Sequence, residues 1–91
     1  MFDGINFSPG IVTYNVPQYL GQEDILQVSY TENDIDYTID VGWYRKWFAV
    51  VVIKDMDWEN PVLEKHCVEP GKLPALVQEC AEFVRAALES K

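Results

Sequence analysis

Polar and apolar residues alternate through the middle of the chain and then change period near its end. Between Ile25 and Thr31, Leu26, Val28 and Tyr30 fall on one face while Gln27 and Ser29 fall on the other, the period of a half-buried strand. Tyr37, Ile39 and Val41 alternate with Thr38 and Asp40 in the same way. Trp47 to Lys54 holds an uninterrupted apolar run, Phe48 to Ile53, which predicts a strand covered on both faces and placed centrally in a sheet. A weaker strand of mixed polarity follows over Val62–Val68, with Pro61 suited to its first position. From Pro74 to Glu89 the period becomes helical. Leu76, Val77, Cys80, Val84, Ala87 and Leu88 share one face, with Phe83 alongside, and Gln78, Glu82, Arg85 and Glu89 lie opposite.

Turn residues punctuate these runs. Glu32-Asn33-Asp34 reads as a turn, because Asn and Asp tolerate left-handed backbone. Gly42 predicts a bulge or a loop opening at the end of its strand. Arg45-Lys46 lacks the Asn-Gly chemistry of a tight hairpin, so that connection is expected to exceed two residues. Asp55, Asp57 and Asn60-Pro61 mark the next turn, and Glu69-Pro70-Gly71 breaks the chain before the helix. The first 22 residues carry Gly4, Pro9, Gly10, Pro17 and Gly21 and are expected to be irregular, with a short strand through Val12, Tyr14 and Val16. They also carry Phe2, Ile5, Phe7, Tyr19 and Leu20, too apolar to stay in water.

The sum is a single α+β domain over residues 1–91: an irregular apolar segment packed on the sheet (1–22), an antiparallel β-meander of three to five strands (25–68), and one C-terminal amphipathic helix (74–89) on one face. The second apolar face of the central strand must then meet the N-terminal segment or another chain.

Composition narrows what such a domain does. The chain has 91 residues, 48% hydrophobic and 24% charged, with fifteen acids against seven Lys+Arg and a formal charge of −8. Direct nucleic-acid binding through phosphates is disfavoured, because it needs clustered bases. No stretch approaches a membrane span, and the start lacks the pattern of a signal peptide, so a cytoplasmic protein with reduced thiols is expected. Cys67 and Cys80 read as small buried hydrophobes. Without a CxxC or paired histidines neither a metal site nor a cofactor is expected. His66 and Cys67, neighbours on a strand, point to opposite faces and make a poor base–nucleophile pair. No nucleophile motif or phosphate loop is present, and paired carboxylates in turns do not hold the fixed separation of a glycosidase, so the chain is read as a binding protein and not an enzyme.

The meander fixes where charge gathers. In consecutive up-and-down strands the first and third turns lie at one end of the sheet. The first holds Glu32, Asp34 and Asp36, the third Asp55, Asp57 and Glu59, with Trp58 among them. Trp43-Tyr44-Arg45-Lys46-Trp47 goes to the other end and reads as core aromatics flanking a loop. Acidic turns can serve solubility alone. A tryptophan among them points instead to a contact surface, since Trp is the residue most enriched at binding hot spots. The residues expected to meet a partner are Glu32, Asp34, Asp36, Asp55, Asp57, Trp58 and Glu59. A basic protein partner fits: a toxin, or an enzyme directed at nucleic acid, whose phosphate-binding surface these carboxylates would occlude. Immunity proteins of bacterial toxin systems are small acidic inhibitors with this need, a likeness of size, charge and class. The alternatives are a homodimeric interaction module and a calcium-binding protein. Asp34-x-Asp36 and Asp55-x-Asp57 supply hard oxygens for calcium, but the EF-hand spacing is absent.

Overall fold

The computed structural model describes residues 2–15 and 25–89. Five strands, β1 (Ile11–Asn15), β2 (Leu26–Glu32), β3 (Ile35–Trp43), β4 (Phe48–Lys54) and β5 (Leu63–Cys67), form one antiparallel sheet in sequence order. A short 3-10 turn, Pro70–Lys72, leads into the helix α1 (Leu73–Glu89). This is the α+β meander that the periodicity predicts. Val16, Pro17, Tyr19, Leu20 and Gly21 lie outside the described residues.

Register assembles the core. Leu26 pairs with Val41, which pairs with Val50; the next row is Val28, Ile39, Val52 and Leu63. Apart from half-buried Leu63, all of these have no exposed surface, and Leu73, Val77, Cys80 and Val84 of α1 close over them, equally buried. A fully buried Val, Leu or Ile contributes roughly 1.5–3 kcal/mol, so these rows dominate the stability of the sheet–helix layer.

Three details depart from the sequence reading. Gly42 does not interrupt β3: it pairs in register with Ala49, and the strand runs on to Trp43. The irregularity falls instead in β1, between Val12 and Tyr14. The middle strand is β3 rather than the more apolar β4, which lies one place nearer the edge. Burial on both faces holds for the pair: Thr38 and Asp40 of β3 and Ala49 and Ile53 of β4 are buried on the side away from the helix. The described N-terminal residues do not provide that cover. Phe2 belongs to the helix-side core, and Ile5 and Phe7 pack against it.

Arg85 fastens this segment, donating from Nε to the carbonyl of Ser8 at 3.1 Å and from Nη2 to that of Asn6. Gly10 then passes directly over the ring of Tyr30. A Cβ at Gly10 would sit 2.6 Å from Tyr30 Cζ and 2.8 Å from the Phe7 carbonyl oxygen, closer than carbon atoms approach. Gly10→Ala should therefore destabilise the fold by about 1–3 kcal/mol, read by chemical denaturation.

Tyr30 is also where polarity is trapped. Its ring is 1% exposed and its hydroxyl is buried, without a hydrogen-bond partner among the described residues. Burial pushes the hydroxyl from 10.0 up to about 12, and the buried Cys80 thiol from 9.0 up to about 11. Both raised values favour the neutral form in the fold. Their contribution to stability is complete below about pH 8, where neither ionises appreciably in the unfolded chain, and is lost as pH rises from there to about 12. The melting temperature should fall across that window. Tyr30→Phe, which removes the orphan hydroxyl, should leave stability at pH 7 unchanged or raised and soften the upper part of the decline.

Candidate functional site

The hairpin from β2 to β3 closes over Asn33 and Asp34, whose φ angles are 53° and 65°. Two consecutive left-handed residues are the signature of a two-residue type I′ turn, whose twist matches that of the strands. After β4, Asp55 and Met56 repeat the device with φ of 52° and 64°, and the Asp57 N–H closes the turn on the Lys54 carbonyl at 3.1 Å. Both turns stand at the same end of the sheet, because β3 begins opposite the end of β4, with Tyr37 beside Lys54.

Two hydrogen bonds join them. The Asp55 N–H donates to the Asp36 carbonyl at 2.7 Å, and the Asp36 N–H donates to Asp55 Oδ1 at 3.1 Å. The structure thus brings Asp36 and Asp55 into direct contact, with Asp34 and Asp57 in the same turns. Trp58 and Glu59 follow on the exposed path from the turn to β5. Trp58 is 46% exposed and does not fold back into the core.

The carboxylates divide by task. Asp55 holds the neighbouring turn, and both oxygens of Asp57 lie 3.3 Å from the Asn60 amide, which donates to them. Glu32, with Arg85 and Glu89, lines an open cavity of about 380 Å³, so a base stands beside it. Asp34 and Glu59 are exposed. Lys54 is the one base within these turns, so the pole stays acidic. Among the described residues, no three metal-ligating side chains converge on one point.

Sequence reasoning missed Met56. It is 61% exposed between Asp55 and Asp57, so the pole carries an apolar tip beside Trp58. Its signal was present: an apolar residue inside an acidic turn has no core to reach.

The opposite end also differs from expectation. Trp43 does pack inward, its ring edge-on to Phe48 with centroids 4.7 Å apart. Tyr44 and Trp47 do not belong to the core: they are exposed at 40% and 42% on either side of Arg45 and Lys46. The Tyr44 hydroxyl reaches Asp40 at 3.3 Å, and Trp47 lies 5.6 Å from the ring of His66. The loop, Tyr44 to Trp47, exceeds two residues as expected. Cys67 is half-buried and Cys80 buried, both as free thiols. His66 bonds Glu64 at 2.6 Å, while the Cys67 thiol, pushed up by burial, donates to the Glu69 carbonyl, so the two do not act on one another.

The chain matches no protein-family model, no curated protein and no solved structure. Among the described residues no helix is long and apolar enough to cross a membrane.

The Asp55 carboxylate is the part of the pole whose removal tests its construction. Asp55→Ala should cost about 1–3 kcal/mol, combining a lost hydrogen bond with left-handed backbone that alanine tolerates poorly. Asp55→Asn keeps both the acceptor oxygen and the tolerance, and should stay close to wild type in urea denaturation.

Proposed function

We propose that this domain works by binding: a small acidic inhibitor, of the immunity-protein kind, that neutralises a cationic or nucleic-acid-directed toxin or enzyme by occluding its basic surface. The observation that carries the reading is the hydrogen-bonded union of two acidic turns around exposed Trp58 and Met56. Carboxylates held as one patch steer a basic partner and raise its on-rate. An exposed tryptophan supplies the desolvated anchor that slows release. Glu32, Asp34, Asp36, Asp55, Asp57, Trp58 and Glu59 form the contact, with Met56 added to them.

The partner is sought by affinity capture at low and high salt from lysate of the source cell, or against proteins encoded by neighbouring genes. A stoichiometric basic protein lost at high salt is the expected result. Recovery of nothing basic at either salt sinks the reading. With the partner in hand, Asp34→Lys with Glu59→Lys should lower kon by about tenfold or more and flatten its salt dependence. Trp58→Ala should act on koff, with a loss of about 2 kcal/mol or more in affinity. Met56→Gly separates contact from folding, since glycine relieves left-handed strain of about 1 kcal/mol. The variant should be more stable and bind less tightly.

A further inference from the structure

We propose that β5 pairs with β5 of a second copy, joining two sheets edge to edge in an antiparallel dimer. Among the described residues the strand lies at the sheet edge with β4 as its one neighbour, so one side of its backbone offers ladder groups as a template for another strand. What selects the occupant is the sequence across that edge. Val62-Leu63-Glu64-Lys65-His66-Cys67-Val68 is self-complementary when laid antiparallel on itself about Lys65. Val62 then faces Val68 of the second copy, Leu63 faces Cys67, and Glu64 faces His66.

Each pairing suits its surroundings. Val62 and Val68 are 43% and 67% exposed, apolar surface that the pairing covers. Glu64 and His66 already bond within one strand on an exposed face, and two such pairs brought together form a ladder of alternating acid and base. Lys65 opposite Lys65 is the one repulsive pair. Each brings its own counter-charge, Glu79 of α1 at 3.5 Å.

The larger charges agree. The acidic turn from Asp55 to Glu59 precedes β5, while Arg45, Lys46 and Lys72 outnumber Glu69 at the end of the sheet where β5 finishes. Antiparallel pairing sets the acidic end of each copy beside the basic end of the other. Opposite-charge juxtaposition of this kind fixes orientation and register. A parallel arrangement would place like against like. The turn at Asn33, two strands further in, is left free.

The two-fold axis of such a pairing stands perpendicular to the sheet and keeps both helices on one face. Glu79 touching Lys65 shows which stripe of α1 looks toward the β5 edge, and Leu76 and Phe83 share that stripe by helical spacing. Phe83 is 38% exposed and Leu76 half-buried. These stripes face one another across the axis, setting Leu76 and Phe83 above the strands beside the Lys65–Glu79 pairs.

Sedimentation equilibrium over a wide concentration range tests the pairing. The expected species approaches twice the 10.5 kDa chain. The double variant Val62→Asp with Val68→Asp, at positions exposed in the single chain, should be monomeric with unchanged circular dichroism. Register is read by disulfide capture. Directly opposed residues have Cα atoms about 4.5–5.5 Å apart, within disulfide reach of about 4.4–6.8 Å. Lys65→Cys in a Cys67→Ser background should give a covalent dimer with oxidised glutathione, and Glu64→Cys in that background should not. A monomer at every concentration overturns the proposal. So does a dimer that survives the double variant, or one that Lys65→Cys fails to capture. The pairing sets the Asp55–Glu59 turn beside the second copy, so target capture is read on the Val62→Asp, Val68→Asp variant, whose acidic pole no second copy adjoins, and the two readings fail separately.

Discussion

A slip of one residue between β3 and β2 would carry Ile39 and Val41 out of the helix-side core and bring Thr38 and Asp40 into it. Side chains alternate with a period of two, so register and face are one variable. The two-residue turn at Asn33 and Asp34 sets that variable for the first hairpin, and the all-apolar β4 accepts β3 from the other side. Every surface described above inherits from this alignment. It fixes which residues lie under the helix and why Asp36 meets Asp55.

The meander was legible because its signals are local. Alternation in β2 and β3, the apolar run of β4, and the helical spacing from Leu73 onward each lie within one element. The meeting of the acidic turns followed as well, since up-and-down order alone puts alternate turns at one end. Less visible was anything that depends on neighbours across the sheet. Gly42 looked like an interruption because glycine weakens strands. Here it is buried opposite Ala49, another small residue, and continues the ladder without a break.

The aromatic residues show the same limit. Composition treats Trp43, Tyr44, Trp47 and Trp58 alike, yet their surroundings differ. Trp43 meets Phe48 across a strand pair; Trp47 and Tyr44 sit beyond the last paired residues, where only the edge of the sheet, His66 for Trp47, lies against them. A strand end converts an aromatic from core to surface within one or two positions. The carboxylates divide likewise into those that build turns and those that face outward, a division set by the partner each happens to reach.

Arg85 holds the N-terminal segment by the carbonyls of Asn6 and Ser8, not by their side chains. A clasp that grips only main chain is indifferent to what the gripped residues are. Asn6 carries a second duty, its Oδ1 accepting from the Ser8 N–H at 3.0 Å, so it is the side chain at position 8 that can change without loosening the loop. That makes it a place where new surface chemistry can be carried on an unchanged frame.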